Sequence, residues 1–313
     1  MPTNAQILLD SRPSAAATLS NFKLVTQETP ALQDGQVLVR HHFLSLDPYM
    51  RGRMNDAKSY TAPQALGEVM GGWQTYSVVN AATLGALRKV DTTHVPLSYY
   101  LGAVGMPGVT AWYGLVHILE AQAGQTVVVS AATGAVGSAF AALAKKRACR
   151  VVGIAGGPAK CDYATTELGF DACIDYKQHT DAASLSSALK EVCPDGVDGY
   201  FENVGGMVLD AVMLRMNDFG RIALCGMIAG YDGKPLPMNY PALILRSRLK
   251  IQGFIVTEHL DVWPQALQEL GELVATGKLR PRESVAQGLA AAPEAFLGLL
   301  KGQNFGKQIV KLM

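Results

Sequence analysis

The stretch "TVVVSAATGAVGSAFAALAKK", residues 126–146, decides the fold. A threonine and three valines read as a strand buried on both faces, because β-branched side chains suit a pleated surface and no charge interrupts them. From Ala135 the pattern turns alanine-rich and predicts a helix to residue 147. Between the two, Ala132, Gly134 and Gly137 stand at the spacing of a glycine turn, with alanine in the first place. Small residues there serve either close helix–strand packing or the approach of a pyrophosphate to the bare amides of a helix N-terminus. The context favours the second use: the turn follows a strand, opens a helix and begins a repeating series.

That series continues with "CRVVGIAG", "DACIDY", "VDGYFENV", "GRIALCGMI" and "RLKIQGFIV" as further strands. Helical stretches lie between them, including "PAKCDYATTELG", residues 181–192 and "GGMVLDAVMLRMN". Strand and helix in alternation predict an α/β fold, a doubly wound six-stranded parallel sheet covered on both faces. Residues 1–107 read differently. "GQVLVRHHFLSLDPYM" and "WQTYSVVN" suggest strands broken by proline, glycine and irregular stretches, so this part is expected to be β-rich. The tail "FGKQIVKLM" reads as one more strand, expected to return to that first part.

The second strand of the series carries a nucleotide preference. A site for NAD commonly ends that strand on Asp or Glu, which holds the ribose hydroxyls. Here Ala155, Gly156 and Gly157 occupy the place and Lys160 follows. An uncharged pocket beside an ammonium group suits a 2′-phosphate, so the expected cofactor is NADP(H) rather than NAD.

Other classes are set aside by composition. Net charge is +1, which offers no electrostatic footprint for nucleic acid or an anionic membrane. The densest basic run, "AKKRACR" at 144–150, reads as a solvated helix end. The five cysteines, at 149, 161, 173, 193 and 225, are odd in number and form no CxxC, which implies a reducing compartment and a cytoplasmic protein. No apolar run approaches a membrane span or a secretory signal. No metal cluster is visible: the first 107 residues hold no cysteine, His41 and His42 are adjacent, and His94, His117 and His259 stand apart. There is no Tyr-x-x-x-Lys pair and no GxSxG elbow.

The motifs "SLDPYMRGRM" (45–54), "VGMPGVTAWYGL" (104–115), "SAATGAVGS" (130–138), "GIAGGPAKC", "ELGFDACIDYK", "FENVGG", "QGFIV" and "NFGKQIVK" run in order through nearly the whole chain. Together they resemble the zinc-independent medium-chain dehydrogenases/reductases, in particular the leukotriene B4 dehydrogenase, prostaglandin reductase and curcumin reductase type of NADPH-dependent alkenal/one oxidoreductase. The resemblance implies a GroES-like substrate domain over 1–107 and 279–313 with a Rossmann NADP-binding domain over 108–278, and a homodimer. Carried over motif by motif, it assigns Gly134, Ala135, Val136 and Gly137 to the pyrophosphate, Lys160 and Tyr176 to the 2′-phosphate, and Asn203 and Asn304 to further cofactor contacts. It assigns the loop from Cys225 through Gly226 and Met227 to Tyr231, with Phe254, Ile255 and Val256, to the walls around the nicotinamide. One departure stands out. Members of the group carry several tens of residues between "LGEVM" and "GGWQ", whereas here Met70 runs straight into Gly71. Either the barrel is shortened or a segment is missing from the sequence, and the intact flanking motifs favour omission.

The implied reaction is reduction of a carbon–carbon double bond conjugated to a carbonyl, with hydride going to the β-carbon. Negative charge then gathers on the carbonyl oxygen, so a hydrogen-bond donor must wait there. Tyr231 is the first candidate and Tyr49 the second; the α-carbon takes its proton from water or from the tyrosine. Two other readings are an NADPH quinone oxidoreductase, separable by comparing a quinone with a linear enone, and an NADPH-binding protein without turnover.

Overall fold

The computed structural model describes residues 2–82, 87–233 and 235–313. Strands β1 (Thr3–Leu9), β2 (Phe22–Glu28), β3 (Gln36–Arg40), β4 (Phe43–Ser45), β5 (Val69–Gln74) and β6 (Tyr76–Asn80) lie before residue 107, with the short helix α1 (Met50–Arg53). Helix α2 (Met106–Tyr113) leads into the alternating part: β7 (Thr126–Ser130), α3 (Ala135–Lys146), β8 (Arg150–Ala155), α4 (Pro158–Thr166), β9 (Ala172–Asp175), α5 (Ala182–Val192), β10 (Val197–Glu202), α6 (Met207–Met213), β11 (Met216–Leu224), α7 (Ala242–Arg246), β12 (Lys250–Gly253) and α8 (Trp263–Ala275). The chain closes with β13 (Glu283–Gln287), α9 (Ala292–Leu300) and β14 (Lys307–Lys311).

Six parallel strands form one sheet in the order β12-β11-β10-β7-β8-β9. Every residue of β7 is buried, as its unbroken apolar run demands in a sheet covered on both sides. Helix α3 lies close on the sheet because Ala139, Ala141, Ala142 and Ala144 present no bulk. One side of the sheet gathers Val127, Val129, Phe140, Leu143 and Trp112; the other gathers Val128, Ile154, Leu185, Leu189 and Tyr200. A fully buried side chain of this size contributes roughly 1.5–3 kcal/mol. The helix expected through Asn217 ends at Met213, and β11 begins at Met216. The register with β10 slips between Val197 and Gly199, and Phe219 takes a left-handed φ of 62° to restore it before Gly220. A polar "MND" run hides such a bulged strand start from any alternation rule.

The remainder forms three short sheets, β2-β1-β5, β13-β14-β4 and the pair β3-β6. Strand β14 lies antiparallel to β4 and parallel to β13, so the tail is stitched to residues 43–45. A third core packs Ile7, Leu9, Trp73, Phe296 and Val310, with Trp73 edge-on to Phe296 at 5.3 Å. The Met70–Gly71 junction falls inside β5. Between the pairs Gln6↔Gln74 and Leu8↔Val69 the strand carries extra residues, and Gly71 and Gly72 absorb them with φ of 54° and 81°. Only glycine adopts such angles freely, so the two residues that follow Met70 turn the chain within the sheet. Among the described residues no helix is long and apolar enough to cross a membrane.

Candidate active site

A cavity of about 790 Å³ opens at the C-terminal ends of the parallel strands, where the order reverses between β7 and β10. That reversal splays the connections apart and leaves a crevice, the usual ligand position in such sheets. Its floor is the turn between β7 and α3. A Cβ at Gly137 would lie 2.4 Å from the carbonyl oxygen of Ala132 and 2.7 Å from that of Ala131, so glycine is required for helix and turn to approach this closely. Ala131 itself takes a left-handed φ of 51°. Gly134 caps α3 in an extended conformation with no side chain over the helix N-terminus, which leaves that positive end facing the cavity.

At the end of β8, Gly156 stands against Tyr176 and Lys177. A Cβ there would meet Tyr176 Cε1 at 2.9 Å and Lys177 Cε at 3.1 Å. Lys160 and Lys177 both line the cavity, and Lys160 is held below its ordinary pKa by burial and by the neighbouring Lys177 charge. Lys160 Nζ donates to the carbonyl oxygen of Gly302 at 2.7 Å, which ties the chain after α9 to this end. The carboxylate of Asp175, at the end of β9, accepts from the amides of Gly157 (2.7 Å) and Lys177 (3.1 Å) and does not line the cavity. Two neighbouring ammonium groups on the cavity lining suit a doubly charged anion.

Across the crevice three phenols gather: Tyr49, Tyr60 and Tyr231. Tyr60 is more than half exposed, and partial desolvation of its phenol together with nearby Tyr231 raises it above its ordinary range. Burial likewise raises Tyr49, with the Asp47 charge adding to it, and raises Tyr231, with Cys225 adding to it. Each phenol therefore keeps its proton at neutral pH and can donate it in a hydrogen bond. Buried Arg51 holds the Tyr231 turn: its Nε lies 3.2 Å from Asp232 Oδ1, and its Nη1 donates to Asn55 Oδ1 at 2.8 Å. Tyr49 stands on the segment that Lys307 anchors through Asp47 Oδ1 (2.6 Å) and the Leu46 carbonyl (2.9 Å). Beneath the crevice, buried Glu202 accepts from Ser130 Oγ at 2.8 Å, and the Asn203 side chain donates to the Ser130 carbonyl at 2.8 Å. Burial raises the Glu202 carboxyl.

Two family descriptions match this chain: "N-terminal domain of oxidoreductase" over residues 5–86 and "Zinc-binding dehydrogenase" over residues 135–272. The chain is 39% identical to the NADPH-dependent curcumin reductase of Escherichia coli over 341 aligned positions, covering 99% of this chain and 97% of that one. It belongs to the zinc-independent medium-chain dehydrogenases/reductases. The NADP(+)-dependent 2-alkenal reductase of Nicotiana tabacum is 39% identical over 88% of this chain and 86% of its own. The crystal structure of CurA from Vibrio vulnificus in complex with NADPH superposes with a TM-score of 0.90 at 41% identity, covering 99% of both chains. An alignment of 341 positions exceeds the 313 residues here, so the curcumin reductase carries residues with no counterpart in this chain.

This medium-chain dehydrogenase/reductase brings nearly all of its sequence-predicted site residues to one cavity: Gly134 to Gly137, Lys160, Tyr176, Asn203, Cys225, Gly226, Tyr231, Phe254 to Val256, Asn304 and Tyr49 line it. Met227 does not. Its side chain packs toward Gly205, where an added Cβ would lie 3.3 Å from the Met227 methyl carbon. Sequence reasoning missed Tyr60, Lys177 and Gly302, all on the lining. Lys177 had a signal, since it ends the "IDYK" motif; Tyr60 lies in an irregular stretch with none. His117 and His259 are isolated in sequence but share one neighbour, Tyr113, at ring distances of 5.0 and 4.2 Å. Among the described residues no group of three or more His, Cys, Asp or Glu is placed to hold a metal ion.

Proposed function

We propose that this protein is an NADPH-dependent reductase of the carbon–carbon double bond of α,β-unsaturated ketones and aldehydes. The observation that carries the reading is the pairing of Lys160 and Lys177 beside the side-chain-free end of β8, on the lining of a crevice that also holds three phenols. The residues fit the cofactor. Gly134, Ala135, Val136 and Gly137 would receive the pyrophosphate on backbone amides. Lys160, Lys177 and Tyr176 would receive the 2′-phosphate, which relieves the repulsion between the two ammonium groups. Asn203, Asn304, Cys225, Gly226 and Phe254 to Val256 would flank the rest. When bound, NADPH supplies the hydride that saturates the conjugated bond.

The chain's own residues do the remaining work. Tyr231 donates its phenolic proton in a hydrogen bond to the enone carbonyl oxygen, where negative charge gathers as the β-carbon is reduced. Tyr49 and Tyr60 line the same cavity beside it and present further donors to the same region. Met106, Ile255 and the aromatic rings keep water from the reacting carbon. Residues 1–107 and 279–313 act as the substrate-side domain, and 108–278 as the NADP-binding domain. The protein works in the cytoplasm, consistent with five free cysteines, and as a homodimer, consistent with β12 standing as an edge strand of the six-stranded sheet.

The test is consumption of NADPH with a medium-length linear conjugated ketone, run beside NADH and beside a quinone. Enone-dependent oxidation of NADPH well above that of NADH is expected. Lys160→Ala should narrow the NADPH preference by roughly ten- to a hundredfold, the range of a hydrogen bond to a charged group. Equal use of both coenzymes by the unaltered protein, or turnover with the quinone alone, would overturn the reading.

A further inference from the structure

We infer that Cys161 and Cys173 form a redox-active thiol pair, a modification site for hydroperoxides whose closure to a disulfide loosens the hold on NADPH. The two sulfurs lie 3.3 Å apart, with the Cys173 thiol donating to Cys161 Sγ. Cys161 stands in the first turns of α4, directly after Lys160; Cys173 stands in β9, just before Asp175 and Tyr176. Both are half-buried, so a small oxidant reaches them. Thiol reactivity follows thiolate character. The hydrogen bond from Cys173 holds the Cys161 thiol below its ordinary range, and the same bond keeps Cys173 protonated. One sulfur is thus the nucleophile and the other the resolving thiol. The other three cysteines lack such a partner: Cys149, Cys193 and Cys225 are all pushed up, chiefly by burial.

The chemistry balances with a hydroperoxide as oxidant. The Cys161 thiolate attacks the terminal oxygen, the O–O bond breaks, the alkoxide leaves and takes a proton as the alcohol, and Cys161 becomes a sulfenic acid. The Cys173 thiol then attacks that sulfur, the S–S bond forms and water leaves. Two thiols and one hydroperoxide give one disulfide, one alcohol and one water.

Closure must move something, because a disulfide needs roughly 2.05 Å between sulfurs. Strand β9 is hydrogen-bonded to β8, and behind Cys173 there is no slack, since a carbon added at Gly153 would meet its Sγ at 3.1 Å. Helix α4 therefore gives way and draws Lys160 from its place at the Gly302 carbonyl. By linkage, bound NADPH opposes the closure to the same extent. This consequence rests on the placement of the 2′-phosphate at Lys160 and Tyr176; the thiol chemistry does not.

The experiment treats the reduced full-length protein with hydrogen peroxide, blocks free thiols by alkylation and maps peptides. Trypsin releases residues 161–177 as one piece, with no Lys or Arg between Lys160 and Lys177, and cleavage after Glu167 splits it. The expected product is two halves joined until dithiothreitol is added, with saturating NADPH slowing its formation. The KM for NADPH should rise by roughly tenfold on oxidation and return on reduction. Cys161→Ser and Cys173→Ser should each abolish that rise. Cys161 driven to sulfinic acid while Cys173 remains free to alkylate would overturn the proposal, as would a cross-linked protein with unchanged KM for NADPH. If Lys160→Ala leaves that KM unchanged, the phosphate placement fails instead, whatever the thiols do.

Discussion

Tyr231 illustrates how one side chain acquires a role from its surroundings. A phenol in a "GYDGKP" turn is ordinarily surface cover; here Arg51 grips the adjacent Asp232 and turns the ring into the crevice beside Cys225. Its pKa is raised above the ordinary 10.0, so the neutral donor persists from neutral pH to beyond pH 10 and is lost only above the raised value. Tyr231→Phe should lower kcat/KM for an enone by roughly a hundred- to a thousandfold, the size of one oxyanion donor, while the Kd for NADPH holds. Steady-state kinetics beside an NADPH titration checks this; unchanged kcat/KM removes Tyr231 from the chemistry. Tyr231 was legible because a motif carries it. Tyr60 was not, because its stretch "AKSYTAPQ" has no periodicity and only the folded chain brings its ring to the same wall.

At the scale of elements, the basic run at the C-terminal end of α3 does more than sit in solvent. Lys145 pairs with Asp171 at 2.9 Å, while Arg147 and Lys146 reach Glu269 on α8, which also accepts from Trp112 Nε1 of α2 at 2.6 Å. Glu269 therefore locks three helices together over the sheet. Burial acts to raise its carboxyl, but the bonds from Arg147, Trp112 and Lys146 together outweigh that and hold it down to about 2. Since the folded value lies below the ordinary 4.5, this stabilisation is complete above pH 4.5 and is lost as pH falls toward about 2. Glu269→Gln should cost about 1–3 kcal/mol at neutral pH and flatten the loss of stability below pH 4.5. Urea unfolding at neutral and acid pH measures both, and parallel curves for the two proteins would refute it. Helices α2, α3 and α8 are each local in origin. Their clasp is not, since Trp112 and Glu269 stand 157 positions apart.

At the scale of the whole molecule, the site exists only because the chain returns on itself. Arg51 and Asp232 meet across 181 positions, Lys307 and Asp47 across 260, and Ser98 donates to Glu283 across 185. The first of these joins the segment of Tyr49 to the turn of Tyr231. Arg51→Lys keeps the charge but loses the fork that serves Asp232 and Asn55 together. It should lower kcat/KM for the enone by roughly tenfold with little change in NADPH affinity. A matching loss of NADPH affinity would show that the bond supports the fold rather than the phenol wall. The sequence by itself determined the alternation of strands and helices, the glycine turn at 134–137 and the bare end of the second strand, because each depends on sterics and periodicity within a few residues. It missed the bulged start of β11, the partner of each basic residue and the third phenol. Only the tertiary structure decided that Met227 turns away, that Lys177 joins Lys160 and that two cysteines touch. Those outcomes depend on how packed elements bring distant side chains together, and no local pattern carries that distance.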